Sequence, residues 1–591
     1  MKRIISLIGI LLPMLFNSCS EIAFGDKFLG DAPEESGATL EDMFSNFENS
    51  EKVLNMAYRG LNYGLSVSKE PILGGNVLES LTDLCQSFRN NIADGPINVY
   101  YGGQLNSTSV ASNAMYNYGK STDWSTIKHS WIYLENIDKV DMDNQLKNQR
   151  KGEARVLIAL SYFRMMRYVG GVNWLDHAVP VNAEMIFPRI TFAETIDNIV
   201  ELLDEAIPLM VWKQDDVNDG RMTKAAAMAL KQQVLLWAAS PTFNSDILWH
   251  EKADKYTCYG NYDKNRWVRA EKAGKDFFNE LAKYPMTYGL IMPDGDNPSH
   301  KDRRLAYRKA YYDRGGSEIL ISIRKGFDSS IHTTYYDNRF FIGPTLNYVD
   351  MFPWADGTPF EGENFDWKNP SKQPFFTYSK TNGMVPTRDP RLYENIACPG
   401  DTYFDGTSAP VYSNCQNYHT GSGFLVMKYI LQEAGDRLGR PVQWSFLRLS
   451  EVMLSYAEVL NEVHSGPTVE AYKLVNDVRK RVGLSPLKDL NQDQFKAALL
   501  NERALELGFE EVRWFDLVRH GMVECFTKKL YGIRSLGNNL NNPTSFTFEK
   551  VPLEQVRYWA FPDKWDSKWF MSPIPLDELN KDYGMTQNPG W

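Results

Sequence analysis

The chain has 591 residues, of which 43% are hydrophobic and 23% charged, and its formal net charge is -10. This length gives one large or two to three ordinary domains, and the acidic balance, with no basic run interleaved with aromatics, argues against nucleic acid as a partner. Aromatic residues are numerous, with 15 Trp, 31 Tyr and 31 Phe, so we expect some of them to face a ligand.

The first residues have the pattern of a bacterial export signal. Two positive residues precede an apolar run, residues 4–16, which is too short to span a bilayer at about 20 residues. Cys19 follows a serine at the point where signal peptidase would otherwise cut, and this placement resembles the lipobox of bacterial lipoproteins. An ordinary secretory signal with an unrelated cysteine is the alternative. We predict a signal peptide at residues 1–18 and a lipidated tether at residues 19–38.

Helical periodicity dominates the regions before and after the middle of the chain. Apolar residues recur there at three- and four-residue spacing, and Thr191 with Glu194 has the pattern of a capping box. The predicted helices occupy residues 127–140, 152–168, 191–206, 223–240, 267–281, 446–463 and 469–484, with a final pair between residues 492 and 520. Helix pairs separated by Gly or Pro are typical of tetratricopeptide-type hairpins. We therefore predict a mainly α fold.

The middle of the chain differs in composition. Residues 285–445 are rich in Gly, Pro, Asn, Asp and aromatics and have few long periodic runs. Loops of this extent are uncommon unless they are functional. We predict an irregular, loop-rich ligand-binding lobe with short strands, placed between helical regions at residues 39–284 and 446–591.

The sequence contains none of the familiar catalytic or metal-binding motifs. No H-E-x-x-H, G-x-S-x-G, Walker loop or G-x-G-x-x-G occurs, which disfavours zinc, serine and nucleotide chemistry. We predict no cofactor, and residues 294–297 lack the spacing of a calcium loop, although a structural calcium stays open. Paired carboxylates for glycoside hydrolysis have no positive signal. Export allows a disulfide between Cys398 and Cys415, with free or buried thiols as the alternative.

Aromatic rings flanked by Asn, Asp, Arg and Gly are suited to stacking on a sugar while the polar neighbours bond its hydroxyls. The predicted ligand-binding residues are Asp83, Arg89, Asn91, Tyr100, Tyr101, Trp124, Tyr335, Tyr336, Trp354 and Trp367. For each ring taken singly, burial in the core is the alternative.

The stretch NERALELGFEEVRWFDLVRHG, residues 501–521, places acids, arginines and a histidine side by side. These could be acid/base equipment or the paired charges of a packed helix. Glu506 and Glu510 are four residues apart, and an Arg, an Asp and an Arg follow at three-residue steps from Arg513, which is helical spacing. The pattern favours a scaffold role.

Several segments together resemble the SusD/RagB family of outer-membrane nutrient-binding lipoproteins. They are GEARVLIALSYFRMMRYVGGVNW (152–174), PRITFAETIDNIVELLDEA (188–206), GRMTKAAAMALKQQVLLWAASP (220–241), PTLNYVDMF (344–352), RDPRLYENI (388–396), FLRLSEVMLSYAEVLNEV (446–463), the stretch at 501–521 and the closing PIPLDELNKDYGMTQNPGW (573–591). Their number and order extend the resemblance over most of the chain.

The resemblance implies four tetratricopeptide-like units that carry a variable lobe, and a lipidated Cys19 that anchors the protein to the outer membrane, facing the cell exterior. It implies a non-enzymatic lid on a SusC-like, TonB-dependent transporter, to which the protein delivers oligosaccharides. A peptide-binding importer subunit is the nearer alternative, and an exported glycoside hydrolase the remote one. Ligand contacts of the family lie in variable loops, so Cys19 alone transfers by position.

Overall fold

The structure is a computed structural model. It describes residues 39–61, 64, 78–88, 97–110, 116–180, 182–324, 342–403, 406–415, 421–431, 443–540, 542–553, 557–561 and 563–591. Cys19 and the predicted signal and tether lie outside the described residues. Among the described helices, none is long and apolar enough to cross a membrane.

Helices are the dominant secondary structure, and each helix predicted from periodicity is present. They are α1 (Leu40–Met43), α2 (Phe47–Arg59), α3 (Asp123–Asn136), α4 (Asn144–Val169), α5 (Phe192–Ala206), α6 (Lys224–Ala239), α7 (Lys264–Leu281), α8 (His300–Tyr312), α9 (Leu346–Val349), α10 (Leu392–Asn395), α11 (Leu449–Val463), α12 (Val469–Arg481), α13 (Gln492–Leu507), α14 (Arg513–His520), α15 (Val523–Thr527) and α16 (Leu576–Leu579).

Capping explains where these helices begin. At α5 the Thr191 hydroxyl accepts a hydrogen bond from the Glu194 amide at 3.1 Å, and the Glu194 carboxylate accepts one from the Thr191 amide at 2.8 Å. The predicted capping box is thereby confirmed, since two backbone donors that the helix would leave unpaired are satisfied.

The long helices pack in series. Each helix from α2 to α7 contacts the next along the chain, then α7 contacts α11, and α11 contacts α12 and α13. The close approach of α7 to α11 depends on Gly274, where a Cβ would lie 2.2 Å from the Tyr456 ring. Because α7 and α11 touch, residues 282–448 are an insertion between two neighbouring helices. This stack of antiparallel hairpins confirms the mainly α fold.

The strands are short and form two-stranded antiparallel sheets. They are β1 (Cys85–Ser87) with β3 (Ile342–Pro344), β2 (Ile319–Arg324) with β8 (Gln443–Arg448), β4 (Phe376–Ser379) with β5 (Gly383–Pro386), β6 (Ile396–Ala397) with β7 (Leu425–Val426), and β9 (Tyr531–Gly537) with β10 (Phe546–Pro552). The β2–β8 pair joins the two ends of the insertion, and the β1–β3 pair attaches the insertion to the N-terminal region.

The charged stretch at residues 501–521 forms α13, a tight turn and α14, and its charges are buried. The Glu506 carboxylate contacts Arg448 Nη1 at 2.6 Å, Arg391 Nη1 at 3.3 Å and Arg481. These arginines come from β8 at the end of the insertion, from the middle of the insertion and from α12, so the carboxylate joins the insertion to the helical stack. Burial alone would raise the pKa of Glu506, but the three arginines hold it well below its usual range.

Neighbouring charges of the same stretch are paired in the same way. Glu510 contacts Arg448 Nε at 2.8 Å and Lys428 Nζ at 2.5 Å, and Asp516 contacts Arg503 Nε at 2.8 Å. Because these side chains are engaged inside the fold, the stretch has the scaffold role that its spacing favours.

The thiols of Cys85, Cys258, Cys398, Cys415 and Cys525 are free. The disulfide considered between Cys398 and Cys415 is therefore not formed. Cys398 is fully buried, where its thiol is directed at the Ile396 carbonyl at 3.8 Å. Burial raises the pKa of this thiol well above its usual value, which makes it an inert core side chain.

Candidate ligand-binding surface

The residues predicted to bind a ligand divide into two groups. Arg89, Asn91, Tyr335 and Tyr336 lie outside the described residues. Asp83, Tyr100, Tyr101, Trp354 and Trp367 are buried, and Trp124 is half-buried. The structure therefore gives most of the described group a packing role, which is the alternative stated for each ring.

Asp83 lies between a short 3₁₀ helix and β1, where it is fully buried. Its carboxylate accepts hydrogen bonds from Arg513 Nε at 3.0 Å and Nη2 at 2.9 Å and lies 3.0 Å from Lys528 Nζ. Burial opposes the charged form, but these two cations keep the pKa of Asp83 well below its usual range. In this arrangement Asp83 fastens the N-terminal region to α14.

Tyr100 and Tyr101 pack against the C-terminal tail. The Tyr101 hydroxyl donates to the Ser80 carbonyl and accepts from the Ser87 amide at 3.0 Å. The Tyr100 ring lies 6.1 Å from the Trp559 ring, in an edge-to-face arrangement. Both rings therefore hold two distant segments of the chain together.

Trp354 and Trp367 belong to an aromatic cluster inside the lobe. Phe360 lies 5.2 Å from Trp354 and 5.9 Å from Trp367, measured between ring centroids, and Phe365 lies 4.7 Å from Trp367. The Lys372 ammonium covers the Trp354 ring at 4.0 Å. This cluster is the local hydrophobic core of a region with few regular elements.

Trp124 is the one described residue of the predicted set that keeps partial exposure. Its Nε1 donates to the Tyr118 carbonyl at 2.9 Å, and its ring meets Tyr118 and Tyr162 edge-on at 5.4 and 6.3 Å. A ligand role for Trp124 stays a prediction.

Two solvent-exposed rings lie close together in sequence on a C-terminal segment that the sequence prediction missed. Tyr558 and Phe561 are 38% and 49% exposed, and they flank a single 3₁₀ turn. We call these two rings the aromatic platform. The stretch RYWAFPDKW around them is dense in aromatics next to Pro and Asp, and this composition is the signal that could have identified it.

The platform is held from beneath by buried neighbours. Arg557 donates to the Thr82 carbonyl at 2.7 Å and to the Cys85 carbonyl at 2.5 Å. The Tyr558 ring lies against Gly103, where φ is +67° and a Cβ would be 2.6 Å from the ring Cγ. A side chain at this position would displace the ring, so the glycine permits the stacking.

Exposed polar side chains follow Gly103, the residue that lies against the Tyr558 ring. Gln104 and Asn106 follow Gly103 and are exposed, and the Asn106 side chain shapes its loop by accepting from the Thr108 amide at 2.9 Å and the Ser109 amide at 3.0 Å. The loop beneath the Tyr558 ring therefore carries one exposed amide side chain, Gln104, and one whose amide is used within the loop, Asn106.

A second feature is a crevice of about 50 Å³ beside the α13–α14 turn, lined by Phe163, Arg167, Trp444, Phe446, Glu451, Glu511 and other residues. This volume holds a few water molecules but no sugar ring. The Arg167 guanidinium lies 4.0 Å from the Phe515 ring centroid. Burial raises the pKa of Glu451 to about 7 and that of Glu511 to about 8. The crevice is therefore a small polar pocket within the scaffold, too small for a sugar.

Clusters of three or more His, Cys, Asp or Glu side chains arranged to hold a metal ion are absent from the part of the chain that the structure describes. No residue set of this kind indicates a cofactor there.

Comparison with known families identifies the chain. A model of the SusD family matches residues 304–591, and a second model, described as starch-binding associating with outer membrane, matches residues 40–236. The chain belongs to the SusD family. The two matches cover the helices from α1 to most of α6 and all of the chain from α8 onwards except its first residues, so the resemblance read from the sequence motifs is confirmed.

Individual relatives of this SusD-family protein are distant. SusD-like protein P38 of Formosa agariphila is 24% identical over 420 residues, which covers 66% of this chain and 70% of that protein. SusD-like protein P2 of the same organism is 38% identical over 154 residues, covering 24% of this chain and 25% of that protein.

Solved structures of SusD proteins share the fold. A SusD-like protein from Bacteroides fragilis superposes with a TM-score of 0.69 at 22% identity, covering 93% of this chain and 98% of its own. A SusD-like carbohydrate binding protein from the same species has a TM-score of 0.64 at 20% identity, covering 91% and 99%. Carbohydrate binding and outer-membrane association are thus properties described for the family.

Proposed function

We propose that this SusD-family protein captures oligosaccharides at the cell surface and passes them, chemically unchanged, to a SusC-like TonB-dependent transporter. Lipidation at Cys19 would hold it on the outer face of the outer membrane. A lipid group with two or more acyl chains is a stable anchor, because each buried methylene contributes about 0.8 kcal/mol.

Family membership carries this proposal. The matched regions, residues 40–236 and 304–591, include the helical stack except α7 and most of the insertion. Fold alone does not establish a ligand, so the glycan assignment also needs a surface with suitable chemistry.

The aromatic platform supplies such a surface. A sugar stacked on Tyr558 or Phe561 would leave its hydroxyls at the edge of the ring, and the exposed Gln104, which follows the Gly103 beneath the Tyr558 ring, is the proposed hydrogen-bonding partner. Each contact of this kind contributes about 1 kcal/mol, and about four of them correspond to a millimolar Kd. Tighter binding would draw on further contacts, for which Trp124 and the predicted residues outside the described ranges are the proposed sources.

The test is a glycan-array screen of purified residues 20–591, followed by titration of the oligosaccharide that binds. We expect Tyr558→Ala and Phe561→Ala each to weaken binding about fivefold or more, the equivalent of one lost contact. Tyr262→Ala is the matched control, because Tyr262 is 52% exposed and lies far along the chain from the platform. Binding that is unchanged in both platform variants would remove the platform from the site.

The same preparation separates the alternatives. Displacement of the bound oligosaccharide by a peptide mixture would favour the peptide-binding importer, and release of reducing ends by the purified protein would establish a hydrolase. Co-purification of a large TonB-dependent barrel from membranes tests the transporter partner. Cys19→Ala should abolish lipid-dependent partition into the outer membrane, and retention of that partition would refute the anchor.

A further inference from the structure

A groove of about 440 Å³ opens on the helical stack, away from the residues assigned to glycan binding. Its walls are α7, α11 and α12, with the segment 288–292 along one side, and its lining residues are Phe278, Leu281, Tyr288, Gly289, Leu290, Met292, Leu449, Met453, Lys473, Leu474, Asp477 and Lys480. This volume lies in the range of about 300–1,000 Å³ found for ligand sites, in contrast to the 50 Å³ crevice.

The floor and one rim of the groove are apolar. Leu449, Met453 and Leu474 are buried at its base, while Phe278, Leu281 and Leu290 are only half-buried. Met292 is 39% exposed on the rim. The groove therefore offers apolar walls with one exposed methionine on its rim, and flexible methionine side chains suit contact with a protein partner.

The turn that leads into the groove presents another methionine to solvent. Met286 is 99% exposed and has a φ of +71°. A bulky residue in this backbone region is strained, and the side chain gains no packing within the described structure in return. Contact with a partner would supply that packing.

Charge at the opposite rim indicates the chemistry of the occupant. Asp477 is already paired with Lys473, at 2.6 Å. The Lys480 ammonium is exposed and has no ion-pair partner within the ranges that the structure describes. An occupant that carries a carboxylate beside its apolar side chains would neutralise this charge.

We propose that the groove binds an amphipathic helical segment of another polypeptide, with apolar side chains on the floor and an acidic side chain at Lys480. A glycan fits poorly, because the charged side chains of the lining are confined to Lys473, Asp477 and Lys480, the first two already paired with each other, and leave few hydrogen-bonding partners for its many hydroxyls. Addition of an extended strand is disfavoured, because the walls are helices and offer no sheet edge. Helix-in-groove docking is the recognition mode that these walls allow.

The experiment uses purified residues 20–591 and three synthetic amphipathic peptides that share one Leu pattern at i, i+3, i+4 and i+7. One peptide has Glu on its flanks, one has Lys there, and one has the Glu sequence scrambled. Binding is measured by fluorescence anisotropy. We expect the Glu peptide to bind and the Lys and scrambled peptides to bind about tenfold more weakly or not at all.

Substitutions of residues at the rim of the groove show whether the peptide binds there. Met292→Lys should weaken the Glu peptide about tenfold, and Lys480→Glu should reverse the preference towards the Lys peptide. Met185→Lys is the matched control, since Met185 is an exposed methionine, 61% accessible, elsewhere in the chain. Absence of binding by all peptides, or equal binding by Met292→Lys and Met185→Lys, would overturn the proposal.

A second copy of the chain is the competing occupant, and analytical ultracentrifugation distinguishes it. If the protein sediments as a dimer that Met292→Lys dissociates and Met185→Lys does not, the groove is a self-association surface and the proposed heterologous partner is wrong. A monomer that binds the Glu peptide supports the proposal. Neither result depends on glycan binding, so this test fails or succeeds independently of the proposed function.

Discussion

The stretch at residues 501–521 and the aromatic platform at residues 558–561 use their side chains in opposite ways. The first contains charged residues, which normally face water, yet Glu506 is fully buried and Asp516 is 2% exposed. The second contains Tyr and Phe, which normally contribute to a core, yet both rings face solvent. Residue type alone therefore points to the wrong role in each region.

Pairing explains why the charges can be buried. Removing a carboxylate from water costs several kcal/mol, and the fold offsets this cost only where the geometry supplies opposite charges and hydrogen bonds. Glu506 has such partners in Arg448 and Arg481. The exposed rings at Tyr558 and Phe561 carry no such burial cost, and their proposed role is to bind a ligand. Substitutions in the first region should change stability, and substitutions in the second should change ligand binding, and both effects can be measured.

The largest expected effect is at Glu506. Glu506→Gln keeps the shape of the side chain but leaves buried arginines without one opposite charge, so we expect a loss of about 3–5 kcal/mol in the free energy of unfolding, measured by chemical denaturation. Glu549→Gln removes a surface pair with Arg534, 3.1 Å long, and should cost about 0–1 kcal/mol. A loss at Glu506 no larger than that at Glu549 would show that the buried network does not hold the regions together.

The next largest effect on stability is expected at the buried ring of Trp354. Trp354 is 4% exposed and packs on Phe360, so Trp354→Ala should destabilise the protein by about 3 kcal/mol through lost contacts and a cavity. Trp354→Phe retains a ring and should cost clearly less. If Trp354→Ala instead abolished glycan binding at full stability, the original ligand assignment of this residue would be correct.

Local sequence patterns were sufficient to predict the helices but insufficient to predict the ligand-binding residues. Periodicity and capping lie within one element, so α5 and its Thr191–Glu194 box could be predicted. The partners of Glu506 are distant in sequence, and no spacing rule connects Glu506 with Arg391 or Arg448. Likewise, Trp354 and Tyr558 have similar neighbours in sequence, and only tertiary packing decides which ring is buried.

The pH dependence of folding stability should have opposite signs for carboxyl groups with raised pKa values and for those with lowered pKa values. The Glu511 amide donates to Glu79 Oε1 at 2.6 Å, and burial raises the pKa of Glu79 to about 7 and that of Glu511 to about 8, with Glu79 adding to the Glu511 shift. Lys428 and Glu510 face Glu79, and Arg164 and Arg167 face Glu511.

The unfolded chain loses these two protons near pH 4.5, whereas the folded protein keeps them to about pH 7–8. Stability should therefore fall as the pH rises through this window. Carboxylates with lowered pKa values, such as Glu506, have the opposite sign and lose their contribution at acid pH.

Glu511→Gln is uncharged in both states, so we expect its stability to decline less between pH 5 and pH 8 than that of the parent protein. Thermal melts across the series measure the slope. Glu524→Gln, at an exposed position outside this pair, should leave the slope of the parent protein intact. A Glu511→Gln slope equal to the parent slope would show that this carboxyl is ionised in the folded state.

The smallest expected effect on stability is at the platform itself. Tyr558 is 38% exposed and its ring rests on Gly103, so Tyr558→Ala removes part of a packed ring and should lower the free energy of unfolding by about 1 kcal/mol, less than Trp354→Ala. Its main consequence should appear with ligand: a bound oligosaccharide stabilises the folded state according to its concentration relative to Kd, and the rise in melting temperature of the parent protein should shrink in Tyr558→Ala. Trp354→Ala should show the reverse pattern, with a low melting temperature and an undiminished ligand-induced rise. If Tyr558→Ala lost much stability but kept the ligand-induced rise in melting temperature, the platform would be a packing surface and the glycan site would lie elsewhere in the chain.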